Sequence, residues 1–328
     1  MVRLGNINLG EFPLLLAPME DVSDPPFRQI CRQLGADVVI TEFISSEGLV
    51  RDAAKSIHKL DVFEAERPVG IQLFGGDIEV MQNAAKLVEQ ANPDFIDINF
   101  GCPVKKVVCK GAGAAILKDV AKMVQMTRKI VENTELPVTV KTRLGWDENS
   151  INIVEVALKL QEAGIKGLTI HARTRSQLYK GIADWSWIQK VTEHPDIEIP
   201  IFGNGDINSP AVALERKNNY GVSGIMIGRA AIGYPWIFQE ISHYLKTGEL
   251  LPAPNLPDRV RICAAHLSAS IAWKGEKTGI YEMRRHYANY FKAIPNLKEI
   301  RSKLCTATSA NEIFELIQTI QTNQLISE

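Results

Sequence analysis

The sequence predicts an α/β protein in which a (β/α)8 barrel, the TIM-barrel architecture, is followed by a small C-terminal all-helical domain. Eight short runs rich in β-branched residues alternate with helical stretches, and no strand-like run occurs after residue 258. Polar side chains follow nearly every run. Alternating strands and helices are typical of parallel α/β folds, and eight such units in about 230 residues indicate a barrel.

The predicted strands are nearly continuous in apolar residues, as expected for parallel strands buried on both faces. In chain order they cover 12–19, 37–43, 69–75, 95–101, 138–143, 167–173, 199–206 and 224–231. The proline-rich segment "LPAPNLPD" at 251–258 ends the alternation. We therefore expect a barrel domain over 1–250 and a helical domain over 251–328.

Composition places the chain among ordinary soluble proteins. It is 45% apolar and 23% charged, and no apolar run approaches the ~18 residues of a membrane span. The short N-terminal apolar run lies beside Glu11 and Pro13 and is too brief for a signal-peptide core. We expect a cytoplasmic protein without membrane association, and no obligate protein partner is evident.

The five cysteines form a scattered set without a C-x-x-C pair. This spacing argues against a disulfide framework, a zinc site or an iron–sulfur site, and we expect no metal. Cys31, Cys263 and Cys305 lie in helical patterns and are expected in the core. Cys109 is expected to be a packing or incidental thiol. Cys102, which follows a predicted strand, is the candidate for chemistry.

Charge is distributed unevenly along the chain. Residues 1–257 carry 27 basic and 31 acidic side chains, whereas 258–328 carry 10 basic and 7 acidic ones. Between 274 and 303 there are eight basic side chains against three acidic ones. Such a local basic surface on a mildly acidic chain indicates a polyanionic partner.

Chemically capable side chains end nearly all of the predicted strands. In a (β/α)8 barrel the C-terminal ends of the strands form the active site, so we expect these side chains to lie together. They are Met19 with Glu20, Glu42, Gln72, Asn99 with Cys102, Lys141 with Arg143, His171 with Arg173, Asn204 with Asp206, and Arg229.

A phosphate site is predicted after the seventh and eighth strands. "GNGDI" at 203–207 and "GR" at 228–229 stand where barrels of this kind often bind an anion through backbone N–H groups. Glycine permits close backbone approach, and Arg229 adds charge-assisted hydrogen bonds. The alternative is a pair of tight turns with a surface arginine.

The other strand ends suit a flavin. Lys141 and His171 are cations or donors and Gln72 is a neutral amide, which fits an isoalloxazine ring whose reduced form carries negative charge. Lys141 could alternatively be a Schiff-base nucleophile, but that chemistry has no need of Cys102. If a flavin delivers hydride to a conjugated double bond, the adjacent carbon needs a proton. Cys102 is a candidate for this general acid, because a thiol with a pKa of about 8.5 is mostly protonated at neutral pH.

The chain resembles the tRNA-dihydrouridine synthases, most nearly the bacterial B-type enzymes, from about residue 12 to at least 292. The matching motifs are "APM" (17–19), "QLFG" (72–75), "DINFGCPVKKV" (97–107), "GAGAAIL" (111–117), "VKTRLGW" (140–146), "TIHARTR" (169–175), "NGDI" (204–207), "MIGRAA" (226–231), "PWIF" (235–238) and "RRHYANY" (284–290). Two departures are Phe100, where related sequences often have methionine, and the additional thiol of Cys109.

This resemblance implies an FMN enzyme that uses NADPH to reduce particular uridines in tRNA to 5,6-dihydrouridine. It implies that Cys102 is the proton donor and that Asn99, Arg143 and Arg173 are on the substrate side, with Asn99 and Arg143 facing the uracil. The implied FMN ligands are Ala17, Pro18, Met19, Gln72, Lys141, His171, Asn204, Gly205, Asp206, Gly228 and Arg229. The implied tRNA-binding residues of the helical domain are Arg284, Arg285, His286 and Tyr290.

Two other classes of protein share parts of this pattern. A flavin barrel that reduces a small enone, similar to dihydroorotate dehydrogenase, would keep the phosphate site and the lysine but would not need the basic helix "RRHYANYFK". A barrel that only binds RNA would not need bound flavin. The sequence contains no separate dinucleotide site that would distinguish NADPH from NADH.

Overall fold

The computed structural model describes residues 1–325 and confirms a parallel barrel followed by helices. The strands are β1 (Arg3–Leu4), β2 (Ile7–Asn8), β3 (Leu14–Leu16), β4 (Val39–Ile40), β5 (Ile44–Ser45), β6 (Val69–Phe74), β7 (Phe95–Asn99), β8 (Val138–Arg143), β9 (Gly167–His171), β10 (Ile201–Asn204) and β11 (Gly224–Ile227). Parallel pairing follows the order β3, β11, β10, β9, β8, β7, β6, β4. A parallel bridge between Leu15 and Val38 joins the two ends of this order, so the barrel is nearly closed.

Helices alternate with these strands and then continue alone. They are α1 (Pro25–Gln33), α2 (Ser46–Val50), α3 (Ala54–His58), α4 (Ile78–Gln90), α5 (Lys105–Val108), α6 (Val120–Val131), α7 (Ile153–Glu162), α8 (Ser186–Thr192), α9 (Pro210–Asn219), α10 (Ile237–Thr247), α11 (Leu256–Lys274), α12 (Glu276–Tyr290), α13 (Lys298–Thr306) and α14 (Ala310–Leu325). Short 3-10 helices cover Glu64–Glu66, Gly113–Lys118, Glu148–Ser150 and Arg229–Ala231. The predicted division at residues 250 and 251 falls between α10 and α11.

Local capping explains where several helices begin. The side chain of Asp24 accepts a hydrogen bond from the Phe27 N–H at 2.9 Å, and Asp77 accepts one from the Val80 N–H at 2.9 Å. Proline occupies the first turn of α1, where its missing N–H has no cost. Each of these caps follows a strand end closely, so loops and helix starts surround the same end of the barrel as the predicted polar residues.

The interior contains two main hydrophobic regions. One fills the barrel and its surrounding helices. The other contains residues of α11 to α14 together with Ile30 from α1 and Trp236 near the start of α10. The C-terminal helices therefore share a packed core with the barrel rather than extending away from it. The antiparallel hairpin of β1 and β2 covers the end of the barrel opposite to the C-terminal ends of its strands. Leu4 and Leu9 of this hairpin segment pack against the barrel interior there. Among the described helices, none is long and apolar enough to cross a lipid bilayer.

Candidate active site

Strand register brings the predicted site residues together at the C-terminal end of the barrel. Asn99 of β7 pairs with Lys141 of β8, and Arg143 of β8 pairs with His171 of β9. His171 in turn pairs with Asn204 of β10. Four neighbouring strands thus present two amides, two cations and an imidazole at one opening, which we call the barrel mouth.

Lys141 lies inside this mouth and is half-buried. Its ammonium donates to Oδ1 of Asn204 at 3.3 Å, while the Asn204 amide donates to the Met226 carbonyl at 2.7 Å. Burial, with a contribution from the nearby Arg143 cation, lowers the pKa of Lys141 to about 8. Lys141 is therefore a cation at neutral pH that can lose its proton under mildly basic conditions.

His171 is neutral in this environment. It is 8% exposed, and burial together with the surrounding cations Arg143 and Lys141 lowers its pKa well below the usual range. Its Nε2 atom lies 3.4 Å from Nη1 of Arg173. Because the arginine can only donate, Nε2 accepts, which leaves Nδ1–H as the available donor.

The ends of β10 and β11 form an open backbone site. Gly205 has a φ of +130°, a conformation that favours glycine, and a Cβ there would lie 2.8 Å from Cβ of Ala183. Within residues 1–325, the backbone N–H groups of Gly205, Gly228 and Arg229 have no hydrogen-bond acceptor in the protein. The side chain of Arg229 is 57% exposed beside them. These donors suit an anion such as a phosphate group.

Asp206 connects this site to the inner wall of the mouth. Its carboxylate accepts from Nη2 of Arg173 at 2.6 Å, from the Ala183 N–H at 2.9 Å and from Nη2 of Arg229 at 3.1 Å. Burial raises its pKa, but these hydrogen bonds and charges outweigh burial and lower the pKa below the usual value. Asp206 therefore stays ionised and fixes both arginines.

The loop after β3 lies directly beside the end of β11. The Ala17 N–H donates to the Ile227 carbonyl at 2.9 Å, and a Cβ on Gly228 would lie 3.5 Å from Cβ of Ala17 and 3.6 Å from Sδ of Met19. Pro18 lies between them and is half-buried. This loop provides an apolar wall next to the open backbone site.

Cys102 lies at the end of β7 and is 7% exposed. Its carbonyl accepts from the Ala114 N–H at 3.0 Å, and a Cβ on Gly113 would lie 2.9 Å from that carbonyl oxygen. The "GAGAAI" segment therefore packs closely on the thiol loop. Burial raises the pKa of Cys102, so the sulfur is a protonated thiol at neutral pH.

Asp97, Gln72 and Asn99 form a buried hydrogen-bond relay beneath this loop. Nε2 of Gln72 donates to Asp97, and Nδ2 of Asn99 donates to Oε1 of Gln72 at 2.8 Å. Oδ1 of Asn99 accepts from the N–H groups of Gly101 at 3.0 Å and Cys102 at 2.8 Å. Burial raises the pKa of Asp97 to about 6. Sequence reasoning missed Asp97, although a carboxylate inside a predicted buried strand was a signal.

Two buried arginines hold the loop that follows β9. Arg143 donates to the carbonyls of Gly101 at 2.7 Å, Thr174 at 3.0 Å and Leu178 at 2.8 Å. Arg173 is 1% exposed and donates to the Gly181 carbonyl at 2.7 Å. In the described part of the chain, Nη2 of Arg143 has no acceptor. Nη2 of Arg143 is therefore free to donate to a ligand, whereas every nitrogen atom of the Arg173 side chain already has a partner.

Tyr179 is a second residue that sequence reasoning missed. It is 53% exposed, and its ring lies 5.5 Å from the Arg143 guanidinium and 5.3 Å from that of Arg229. The His171 ring is 6.3 Å away between centroids. Tyr179 thus lies at the edge of the barrel mouth, with its ring close to both the Arg143 and the Arg229 guanidinium groups. It lies in an irregular loop, where no periodic pattern singled it out.

The C-terminal residues predicted to bind tRNA divide into two pairs. Arg285 is exposed and donates to Oδ2 of Asp21 at 2.8 Å, whereas Arg284 is half-buried and donates to the Ala307 carbonyl at 3.0 Å. His286 and Tyr290 are 3% and 0% exposed. Because both side chains pack between α12 and the barrel, a macromolecule does not reach them in this structure.

Those two buried side chains have specific partners. Nδ1 of His286 accepts from the Gly233 N–H at 3.1 Å, and its ring lies 4.8 Å from that of Phe27. The Tyr290 hydroxyl lies 3.0 Å from Nδ1 of His266 on α11, and the Tyr290 ring lies 5.9 Å from that of Trp236 near the start of α10. Helix α12 is thereby fixed to the barrel with Arg285 beside the loop after β3, next to the mouth.

Comparisons with known proteins identify the family of this chain. The family model described as Dihydrouridine synthase (Dus) matches residues 15–325. The chain is 42% identical over 306 residues to tRNA-dihydrouridine synthase B of Pseudomonas putida, and the match covers 92% of this chain and 89% of that protein. It is 38% identical over 302 residues to the probable tRNA-dihydrouridine synthase of Rickettsia conorii, with 92% of this chain and 90% of that protein covered.

Solved structures with little sequence similarity share the fold. The structure of 6-hydroxypseudooxynicotine amine oxidase from Pseudomonas geniculata matches with a TM-score of 0.57 at 12% identity, covering 81% of this chain and 51% of that one. The structure of morphinone reductase matches with a TM-score of 0.51 at 12% identity, covering 77% and 91%. The family match and the curated relatives extend over more than nine-tenths of the sequence, and the chain therefore belongs to the dihydrouridine synthase (Dus) family.

Proposed function

We propose that this chain reduces particular uridines in tRNA to 5,6-dihydrouridine, with FMN as its bound cofactor and NADPH as the reductant. The observation that supports this most directly is the protonated Cys102 thiol at a barrel mouth lined by Lys141 and His171, in a chain of the dihydrouridine synthase family. The mouth holds cations for a reduced ring and a proton donor for a carbon atom.

The donors present at the mouth fit FMN. The free N–H groups of Gly205, Gly228 and Arg229 suit its phosphate, and the exposed Arg229 guanidinium adds charge. Lys141 would neutralise the reduced ring, and His171 would donate to it. When bound and reduced, FMN supplies a hydride for carbon 6 of the uracil. The remaining proposed ligands are Ala17, Pro18, Met19, Asn204 and Asp206. Gln72, which was also predicted to bind FMN, is fully buried with both amide atoms hydrogen-bonded, so it would support the site without contacting the cofactor.

Cys102 would donate the proton that completes the reduction at carbon 5. Its burial keeps the thiol protonated at neutral pH without a separate acid. Asn99 and Arg143 would face the uracil, and the free Nη2 donors of Arg143 suit a carbonyl of the base. Arg173 would contribute by holding the loop after β9, since all of its nitrogen atoms already have partners.

The helices of 251–328 would bind the rest of the tRNA. The target base must leave its stack to enter the barrel, so the RNA backbone needs a contact surface beside the mouth. The basic residues of α12, with Arg285 adjacent to the loop after β3, provide one. His286 and Tyr290 would support this surface by fixing α12 to the barrel, rather than by contacting RNA.

The test is NADPH-dependent formation of dihydrouridine in an unmodified tRNA transcript. We expect the purified protein to be yellow and to add two hydrogen atoms to specific uridines, detected by mass spectrometry of a nuclease digest. The matched substrates are free uridine, orotate and the same tRNA already modified. Reduction of a free enone as fast as tRNA would contradict the proposal in favour of a small-molecule oxidoreductase. A colourless protein without any reduction would favour RNA binding alone.

A further inference from the structure

The buried relay of Asp97, Gln72 and Asn99 begins at a carboxylate that the proposed reaction does not use. Asp97 is 1% exposed and lies between its register partners, Gln72 on β6 and Thr139 on β8. One carboxylate oxygen accepts from Nε2 of Gln72, and the other accepts from the Thr139 hydroxyl. The barrel thus buries a carboxylate directly beneath the two amides that lead to the thiol loop.

The orientation of both amides is fixed independently from the two ends of the relay. Asn99 must present Oδ1 to the backbone N–H groups of Gly101 and Cys102, because N–H groups only donate. Asp97 must accept a hydrogen bond from Nε2 of Gln72, because an ionised carboxylate can only accept. The two orientations are compatible, because they place the donor Nδ2 of Asn99 opposite the acceptor Oε1 of Gln72, at 2.8 Å.

The relay therefore acts on the backbone that carries the thiol. The Cys102 N–H is held from below by Asn99 at 2.8 Å, and the Gly101 carbonyl is held from the other side by Nε of Arg143 at 2.7 Å. If the amide of Gln72 turned over, its Nε2 would face Nδ2 of Asn99 and two donors would oppose each other. Asn99 would then lose either its hydrogen bond to Gln72 or, if its own amide also turned, its hydrogen bonds from the Gly101 and Cys102 N–H groups.

We propose that Asp97 is a positioning residue that fixes the Gln72 amide and, through Gln72 and Asn99, holds the backbone of Gly101 and Cys102 so that the thiol keeps its place at the end of β7. Asp97 influences catalysis only through the proton-donor role of Cys102 proposed above, whereas its effect on the loop does not depend on that reaction. Displacement of a reacting group by about 1 Å can cost roughly 10²-fold in rate, so a buried support of this kind has a measurable consequence.

The substitutions Asp97→Ala and Asp97→Asn separate the relay from simple stability. In Asp97→Asn the new side-chain amide would still accept from Gln72 through its oxygen and could donate through its nitrogen to the Thr139 hydroxyl oxygen, so the orientation of Gln72 survives without the charge. In Asp97→Ala the Gln72 amide loses its partner at this end and is held only by Nδ2 of Asn99, so the relay is weakened. The matched control is Asp94→Ala at the other end of β7, where Asp94 accepts from the Val69 N–H of β6 at 2.7 Å. It removes a comparable carboxylate contact far from the loop.

The first readout is the rate at which iodoacetamide alkylates Cys102, measured by mass spectrometry of its peptide at equal flavin content. The exposed Cys109 in the same protein is the internal reference. We expect Asp97→Ala to raise Cys102 alkylation roughly five- to tenfold, the effect of one lost hydrogen bond, with Asp97→Asn and Asp94→Ala near wild type. If Asp97→Ala fails to fold, Gln72→Met removes the middle link and is expected to give the same rise.

The second readout is single-turnover reoxidation of the reduced enzyme by saturating tRNA. We expect a roughly 10–100-fold loss in Asp97→Ala that Asp97→Asn largely restores, at unchanged reduction by NADPH. Equal behaviour of Asp97→Ala and Asp94→Ala in both readouts, or an asparagine variant no better than alanine, would overturn the positioning role. If wild-type protein makes no dihydrouridine but the alkylation pattern is as expected, the proposed reaction fails and the relay stands.

Discussion

The cations of the barrel mouth and those of helix α12 differ in burial and in how many partners they have. Arg143 and Arg173 are 2% and 1% exposed, and each donates to several fixed acceptors. Arg284 is half-buried with one carbonyl acceptor, and the exposed Arg285 has one carboxylate partner. Buried charges with extensive hydrogen bonding hold a precise geometry, whereas exposed charges interact through screened attraction.

This difference separates two contributions to one reaction. Groups at the mouth would act on the reacting atoms and set the rate of the chemical step. Groups on α12 would act on the phosphate backbone and set the affinity for tRNA, with a strong dependence on salt. Substitutions in the two regions should therefore have distinguishable kinetic effects.

The largest effect is expected at the proposed proton donor. Cys102→Ala should slow tRNA-dependent reoxidation of the flavin by roughly 10²–10⁴, the usual contribution of a positioned general acid, and leave NADPH reduction near normal. Stopped-flow absorbance of the flavin measures both half-reactions. Cys109→Ala is the matched control, since Cys109 is exposed on the same loop. Equal losses in both half-reactions would make Cys102 a structural residue.

A smaller loss is expected at Lys141. Lys141→Ala removes the cation that would neutralise the reduced ring, so FMN retention should weaken and flavin reduction should slow by roughly 10²-fold, as for loss of one preorganised donor. Flavin content after gel filtration and the rate of reduction by NADPH measure these effects. The exposed Lys118 supplies the control variant Lys118→Ala. Full occupancy with normal reduction in Lys141→Ala would remove Lys141 from the flavin site.

Substitution of both arginines on α12 should change affinity alone. The double variant Arg284→Ala/Arg285→Ala is expected to weaken tRNA binding about tenfold and to reduce the slope of log K against log salt by about one unit per lost phosphate contact. Filter binding over a salt series measures both quantities. Arg128→Ala/Lys129→Ala removes an adjacent exposed basic pair from α6 and should leave both unchanged. An unchanged slope in the α12 variant would exclude phosphate contacts there.

The smallest effect concerns pH. Since burial lowers the pKa of Lys141 to about 8, its side chain carries a positive charge below that pH and loses the charge as the pH rises through 8. FMN binding to the flavin-free protein should weaken about fourfold between about pH 7 and 8.5, which is the change in the protonated fraction. Fluorescence titration with FMN measures this, and Lys141→Ala should abolish the dependence. A flat profile in wild type would contradict a role for this cation.

The sequence predicted the barrel well because parallel strands buried on both faces leave a strong local pattern. Each of the eight predicted runs contains a strand of the ring. The run over 37–43 was the least regular, since it narrows to β4 and a separate β5 follows at Ile44–Ser45. Between them Glu42 is 5% exposed and accepts from the Asp21 N–H at 2.6 Å, a long-range contact that no local pattern contains.

The residues of the barrel mouth that directly follow strands could be predicted from the sequence. Residues whose role depends on partners distant in the sequence were missed. Strand ends located Lys141 and His171. The cations that help to lower the pKa of His171 include Arg143 and Lys141 of the neighbouring strand, and Asp97 is buried between Gln72 and Thr139 of two other strands. On α12 the alternation of basic and aromatic residues did not show which face packs. Tyr290 and His286 face Trp236 and Phe27 of the barrel, so their helix face is interior.

The most direct test of the separation between chemistry and affinity is the rate of flavin reoxidation, in prereduced enzyme, as a function of tRNA concentration. We expect Cys102→Ala to lower the plateau rate by roughly 10²–10⁴ with an unchanged half-saturating concentration. The Arg284→Ala/Arg285→Ala variant should raise the half-saturating concentration about tenfold with an unchanged plateau. If the arginine variant lowered the plateau, or Cys102→Ala altered only the half-saturating concentration, the assignment of chemistry to the mouth and affinity to α12 would be wrong.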